Sequence, residues 1–512
     1  MPRALLSVTD KSGLAAFASG LADLGWELVS TGGTAGLIRS QGIPVLDVAQ
    51  VTGFPEMLDG RIKTLHPKVH GGLLGDVEKE SHRQQMAEAG IEAFDLAVVN
   101  LYAFEATVTQ DNCTWDDAIE NIDIGGPAMI RAAAKNHSSV AVIVDPLDYD
   151  EYLRELNETG GISLATKQKL AAKAYSHTAL YDSMISRWLC GQIGEDKPGE
   201  LSFGYRLAQE LRYGENPHQK AAIYLDPLGK GGVARASQLN GKELSYNNLL
   251  DADAAWELVS DLEPGSVAII KHGNPCGTAS LGSLAASFEA ARRADPISAF
   301  GGIAACNGVI DEEAAQAMTI KGSFLEVVIG AEVTPEALAI FRTRSGWGPN
   351  VRVLQAEISP SKTYPTLRTI RGGVLVQDSD EDPQNEWRVV TDRQPTEEER
   401  AALEFAWKII PHVKSNAILC AVKGELLGTG AGQMNRVQSV RLSLEQAGEK
   451  AKGAVLASDA FFPFPDSILT AAEAGITAVI QPGGSKKDGD VIAAANEKGI
   501  AMIMTGVRHF RH

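Results

Sequence analysis

The first 190 or so residues alternate short apolar runs with stretches whose apolar positions recur at helical spacing. Residues 4–8, 26–30, 96–100 and 140–144 predict strands, and 14–24, 35–40 and 128–135 predict helices. Strands alternating with helices predict a parallel sheet covered by helices, an α/β fold. A long helical pattern over 164–189 closes the region. The polar stretch 192–200, with Gly194, Pro198 and Gly199, predicts a linker. The expected domains are therefore 1–199 and 200–512. The second region is again mixed α/β and too long for one core. Within it, 295–300 and 459–464 each follow a helical pattern with a related Asp-to-Phe run, a weak sign of internal duplication into two similar subdomains.

Composition narrows the function classes. The chain has 512 residues, 44% hydrophobic and 22% charged, which is ordinary folded-domain chemistry. Its 47 basic and 65 acidic side chains leave a net charge of −18. That argues against nucleic acid, whose non-specific binding rests on Lys and Arg neutralising phosphates. Small anions respond to local charge and stay open as ligands. No apolar run is long enough to span a membrane, and the N-terminus reaches Asp10 too soon for a signal peptide. Cys113, Cys190, Cys276, Cys306 and Cys420 are scattered without a CxxC pair. This predicts a reducing compartment, the cytosol, and no structural zinc.

Four junctions in the first region carry donors or cations. Ser30-Thr31-Gly32-Gly33-Thr34 lies between a strand and a helix, where glycines turn backbone N–H groups outward and hydroxyls add donors. It is neither a Walker A loop nor GxGxxG. Thr9-Asp10-Lys11 occupies another strand-to-helix junction, and Lys11 there opposes the helix dipole unless an anion is near. Gly60-Arg61-Ile62-Lys63-Thr64 puts two cations on one side if the segment is extended. Asp123-Ile124-Gly125-Gly126-Pro127 leads into a helix on which Arg131 and Lys135 share a face. A capped turn or a solvated cation explains each alone; the four together point to a phosphorylated ligand. His66 and His70 do not predict a metal site. Pro67 and Gly71-Gly72 argue against a helix carrying both rings, and no Glu follows His66.

In the second region the apolar run 267–270 delivers Lys271 and His272 into Gly273-Asn274-Pro275-Cys276-Gly277. This is how a strand end presents an acid–base pair. Pro275-Cys276 is not a zinc deaminase signature, since position 279 is Ala. The loop 212–218, the segment 413–417 and the glycine-rich 430–436 add Arg212, Asn416 and Arg436. The run Phe461-Phe462-Pro463-Phe464 reads more readily as core than as a ligand platform.

These motifs, in this order, resemble the bifunctional purine-biosynthesis family that joins AICAR formyltransferase to IMP cyclohydrolase. The resemblance covers essentially the whole chain, and its most specific parts are 60–66, 122–137, 212–219, 271–277, 430–436 and 458–464. It implies a methylglyoxal-synthase-like N-terminal domain and a duplicated, zinc-free, cytidine-deaminase-like C-terminal unit in a homodimer. It implies that AICAR takes a formyl group from 10-formyltetrahydrofolate and that formyl-AICAR then closes to IMP without a catalytic metal. For transfer it implies His272 as base beside Lys271. Arg212, Tyr213, Gly301, Glu326, Asn416, Arg436, Phe461 and Arg508 would surround AICAR, and Val437, Asp466, Ser485 and Lys486 the folate. For cyclisation it implies Lys135 as leading proton carrier with Lys63, Tyr102 and Asp123. Thr9, Asp10, Lys11, Thr31, Gly32, Gly33, Thr34, Arg61, Ile62, Thr64, Asn100 and Ile124 would hold the substrate. A phosphate-sensing regulatory domain is the competing reading of the first region. It needs the cradle but no proton carriers.

Overall fold

The computed structural model describes residues 1–58, 61–358, 365–381 and 386–512; Gly60 of the Arg61–Thr64 motif lies outside them. The chain forms two compact units. One is Met1–Arg206 with Asp226–Leu228, the other Leu207–Leu225 with Gly229–His512.

The first unit is built on five parallel strands, β1 (Arg3–Ser7), β2 (Glu27–Ser30), β3 (Leu46–Asp47), β4 (Leu96–Val99) and β5 (Ala141–Ile143). Their order across the sheet is β3-β2-β1-β4-β5. The central strands are unbroken apolar runs because helices cover both faces, and all of Leu96–Val99 is buried. Helix Leu14–Asp23 buries Leu14, Phe17, Ala18 and Leu21, one helical stripe. Helix Leu164–Ile193 starts at the Ser163 cap, ends at left-handed Gly194, and packs Ala171, Ala174, Tyr181 and Met184 into the core. The strand order reverses between β1 and β4. Open α/β sheets bind ligands at the carboxyl ends of strands flanking such a reversal.

One local expectation is corrected. Residues 61–64 form turns rather than an extended strand, so Arg61 and Lys63 are not aligned by strand geometry. A helix forms over Pro67–Leu74, and of the two rings it carries only that of His70. Pro67 sits in its first turn, where a missing N–H costs nothing, and His66 Nδ1 caps it by accepting from Lys68 N–H at 3.1 Å.

The second unit contains a twelve-stranded sheet made of two six-stranded halves. From the middle outwards the first half runs Asn274–Ser280, Ser266–Lys271, Gly302–Ile310, Leu325–Val333, Arg352–Gln355 and Ser237–Asn240. The second runs Glu425–Gly430, Ile418–Val422, Val455–Ser458, Ala478–Gln481, Ala501–Met504 and Arg388–Val389. Both repeat the same pairing: antiparallel, antiparallel, parallel, parallel, antiparallel. The halves join antiparallel at Ala279 and Glu425. The duplication is therefore in the topology. The sequence pair 295–300 and 459–464 does not carry it, because the first precedes strand Gly302–Ile310 while the second follows that strand's counterpart Val455–Ser458.

Alternating residues feed different layers. Ala268 and Ile270, with Leu419 and Ala421, face a single core shared by both halves under helices Tyr246–Ser260 and Glu397–Ile409. Val267 and Ile269 face a second core, and Ile418 and Cys420 a third, on the opposite side. One sheet thus solves the size problem with three cores. The ribbons Arg206–Leu211 with Ala221–Leu225 and Thr366–Ile370 with Gly373–Gln377 stand outside both large sheets.

Candidate active sites

In the first unit the loops after β1, β2 and β4 meet at the strand-order reversal. Asn100, just past β4, accepts from the backbone N–H of Thr9 at 2.6 Å and of Asp10 at 2.9 Å. Its Nδ2 returns a bond to the Asp10 carbonyl at 3.0 Å. Asn100 thus braces the Thr9–Lys11 loop. The Thr34 hydroxyl is also engaged, donating to the Val8 carbonyl at 3.0 Å and accepting from Val8 N–H at 3.1 Å. The cradle's donors are therefore chiefly backbone N–H groups, which corrects the expectation that both threonine hydroxyls face a ligand.

Helix Gly32–Ser40 begins at Gly32, so the N–H groups of Gly32, Gly33 and Thr34 precede the first intrahelical bond, Ala35 N–H to the Thr31 carbonyl. Lys11 Nζ lies 4.0 Å from where a β-carbon on Gly33 would stand. A lysine over the positive end of a helix is unfavourable alone and favourable once an anion sits between them.

A second cluster gathers Lys63, Tyr102 and Asp123. Asp123 is partly buried, and its Oδ1 accepts from Gly126 N–H at 2.8 Å. Burial raises its carboxyl above the ordinary value, against the opposing pull of the Gly126 and Tyr102 N–H groups and the Lys63 ammonium. Gly125 and Gly126 are required here. A β-carbon would come within 2.5 Å of the Thr64 hydroxyl at the first and of an Asp123 carboxylate oxygen at the second. Ile62 and Ile124 are exposed, and Arg61 pairs with Glu120 on the surface.

Lys135 is not brought to this cluster. It is exposed on the last turn of helix Gly125–Lys135, whose first turn adjoins Asp123. Eleven residues at a helical rise separate the ends by about 15 Å. Tyr181, unforeseen from the sequence, accepts from Asp123 N–H at 2.9 Å and donates to the Asn121 carbonyl at 3.2 Å. A sequence separation of 58 hid it.

In the second unit, Lys271 and His272 stand at the tip of the hairpin joining Ser266–Lys271 to Asn274–Ser280. Lys271 Nζ donates to the Gly301 carbonyl at 2.8 Å, and His272 is exposed. Asn274 Oδ1 accepts from Lys414 N–H at 3.0 Å, tying the hairpin to the segment that leads into Asn416. The neighbouring Cys276 is no nucleophile, since burial pushes its thiol up to about 12.

An open cleft of about 590 Å³ brings together Asn416, Arg436, Val437, Phe461, Asp466 and Arg508, joined by Phe464 and Phe510. The aromatic run divides: Phe462 is fully buried, whereas Phe461 and Phe464 are exposed and line the cleft. Arg436 is held by an ion pair with buried Asp459, a bond to Ser458 Oγ at 3.0 Å and one to Asn416 Oδ1 at 2.6 Å. Asp459 also accepts from the Ser415 hydroxyl at 2.6 Å and Ala417 N–H at 3.0 Å, while its carbonyl accepts His509 N–H. Nothing in the local sequence marked it as this hub.

The remaining expected contacts are not in that lining. Arg212 stacks on Tyr213 at 5.4 Å. Glu326 pairs with Arg352 at 2.7 Å. Ser485, next to Lys486, gives its N–H to Asp488, the first residue of helix Asp488–Lys498, at 3.1 Å. Among the described residues no group of three or more His, Cys, Asp or Glu is arranged to hold a metal, and no helix is long and apolar enough to cross a membrane.

Residues 133–446 match the family described as "AICARFT/IMPCHase bienzyme", and 13–128 match "MGS-like domain". The chain belongs to the AICARFT/IMPCHase bienzyme family. It is 50% identical over its whole length to the bifunctional purine biosynthesis protein PurH of Anoxybacillus flavithermus, covering 99% of that protein. The same identity and coverage hold for PurH of Bacillus cereus. A solved structure described as "Crystal structure of ForH" matches 37% of this chain and 98% of its own, at 38% identity and a TM-score of 0.33. The chain is thus a bifunctional enzyme of purine biosynthesis, AICAR formyltransferase and IMP cyclohydrolase, acting in the last two steps of IMP synthesis.

Proposed function

We propose that residues 1–199 perform the cyclisation and residues 200–512 the formyl transfer, with 10-formyltetrahydrofolate as donor. The observation that carries this division is the distribution of proton-handling groups. Lys63, Tyr102 and Asp123 cluster beside an anion cradle in the first unit, and Lys271 with His272 stands at a strand end in the second.

In the transfer, the AICAR amine attacks the formyl carbon while His272 takes the amine's proton. Lys271 stabilises the oxyanion that forms on the formyl oxygen. Collapse of that intermediate expels the folate nitrogen, which picks up a proton as tetrahydrofolate leaves. Arg436, Asn416 and Arg508 hold AICAR; Phe461 and Phe464 offer apolar faces; Val437 and Asp466 contact the folate.

In the cyclisation, the carboxamide nitrogen of formyl-AICAR attacks its own formyl group and water departs. Both partners are in one molecule, so holding the reactive conformer supplies much of the acceleration, of order 7–11 kcal/mol in favourable cases. The Gly32–Thr34 N–H groups and Lys11 take the phosphate. Asp123, with its raised affinity for a proton, exchanges protons with the reacting groups, and Lys63 balances the charge. Geometry favours these over Lys135 as the proton carriers.

This reading includes a homodimer whose transfer site a second copy completes, with Arg212, Tyr213, Glu326, Ser485 and Lys486 among the substrate contacts. The cysteine pattern supports a cytosolic location. The test measures both half-reactions on Asp123→Asn and His272→Ala. The expected result is loss of cyclisation alone in the first and of transfer alone in the second. Loss of the same half-reaction in both folded variants refutes the division.

A further inference from the structure

The two hairpins nearest the middle of the twelve-stranded sheet are topological twins with turns of equal length. Lys271 pairs with Asn274 around His272–Gly273, and Val422 pairs with Glu425 around Lys423–Gly424. Their backbones differ. In the second turn only Gly424 is left-handed, at φ +74°. In the first, both residues are, His272 at +53° and Gly273 at +73°. A side chain with a β-carbon resists that conformation, and the twin shows that the fold does not require it.

One carboxylate marks the first turn. Asp251, on helix Tyr246–Ser260, accepts the His272 N–H on Oδ2 at 3.1 Å and the Gly273 N–H on Oδ1 at 2.7 Å. Successive N–H groups in such a turn converge on an anion, and here the anion belongs to the protein. In the twin the turn is tied instead by the Gly424 carbonyl, which accepts from Ser280 N–H at 2.8 Å. That bond leaves the φ of Lys423 unconstrained. We infer that Asp251 is a positioning residue for formyl transfer: by gripping both N–H groups it holds His272 left-handed and aims its imidazole. This rests on the reading of His272 as the transfer base.

The experiment compares full-length wild type with Asp251→Ala, Asp251→Asn and His272→Ala, following tetrahydrofolate release and, separately, closure of supplied formyl-AICAR. For Asp251→Ala the expected loss in transfer kcat is about 10²-fold, the scale of a misplacement near 1 Å, with the KM for AICAR and the cyclisation rate unchanged. Asp251→Asn keeps one acceptor oxygen and recovers part of kcat. A carboxylate that merely stabilised the unit would not give this split of kcat from KM with partial recovery. The inference is overturned if Asp251→Ala transfers like wild type while His272→Ala does not. It is equally overturned if kcat and KM worsen together in both Asp251 variants. If His272→Ala itself transfers at the wild-type rate, the reading of the base fails, and the role of Asp251 falls with it.

Discussion

Strand Gly302–Ile310 ends at Asp311, which caps helix Glu312–Met318 by accepting from Ala314 N–H at 2.9 Å. Its counterpart Val455–Ser458 ends at Asp459, which is fully buried and grips Arg436. The corresponding strands thus run into a routine helix cap in one half and into the anchor of an open cleft in the other. By register the residue matching Asp459 is Asn307, and the first strand continues four residues further. The hairpin turns diverge likewise, His272–Gly273 against Lys423–Gly424. Strand interiors of both halves remain alike, because each must present apolar side chains to two faces. Just past the strand ends the halves diverge, and in the division proposed above the first serves proton transfer and the second binding.

The largest test of this contrast gives the first hairpin its twin's residue. His272→Lys should lower formyl transfer by ~10²–10⁴, the range for losing a general base, with cyclisation intact. Lys423→His should change neither rate. Near-normal transfer by the His272→Lys enzyme would erase the distinction between the turns.

Next come the paired aspartates. Asp459→Ala leaves Arg436 buried without its counter-charge and should cost roughly 3–5 kcal/mol in denaturant unfolding. Asp311→Ala removes a cap and should cost about 1 kcal/mol. Equal losses would mean that the two strand ends are energetically equivalent after all.

A smaller effect separates the helices of the shared core. Both open with a capping box, Ser245 with Asn248 in one and Thr396 with Glu399 in the other. Burial alone would raise the Glu399 carboxyl, but bonds from Arg393 and the Thr396 N–H outweigh it and bring it from 4.5 down to about 2. A depressed acid contributes stability above its unfolded value and loses it as pH falls through the folded one. Hydrogen-exchange protection of Glu397–Ile409, corrected for intrinsic rates, should therefore fall between pH 4.5 and about 2. The neutral Ser245–Asn248 box should show no such titration. Parallel loss in both helices would argue that Glu399 is not responsible.

The smallest effect has the opposite sign. Asp123 is raised by burial, so the native state holds its proton more tightly than the unfolded chain. Its ionisation then lowers stability as pH rises from the ordinary carboxylate value through the folded one. Asp123→Asn should slightly stabilise the protein at neutral pH while abolishing cyclisation, as read by thermal unfolding beside the activity assay.

Much of the first unit was legible in the chain because its strands are apolar on both sides. The prediction over 96–100 and the observed Leu96–Val99 differ by one residue. Helix Pro67–Leu74 was not legible in the sequence, for a physical reason. Gly72 weakens a helix, yet a β-carbon there would meet the Glu92 carbonyl at 2.5 Å. Close packing, not flexibility, demands the glycine. The helix end is secured by Asn136, whose Nδ2 donates to the carbonyls of Leu73 and Gly75 at 3.0 and 2.9 Å. Neither contact is local in sequence.

The sequence alone determined which residue types stood at the strand ends. The Thr31–Thr34 cradle, Lys63 with Asp123, and Lys271-His272 were all visible, because glycines, cations and an imidazole beside apolar runs have few structural uses. Pattern also sufficed for the parallel sheet, since period and apolar length are local properties. Only the tertiary structure decided which of these groups meet. It set Lys11 over a helix N-terminus, left Lys135 at the far end of the helix whose first turn adjoins Asp123, and paired Arg436 with Asp459. It also brought in Tyr181 and Asp251 from helices distant in the chain. Such contacts depend on strand order and on which face of a helix turns inward, and those follow from packing the whole core at once.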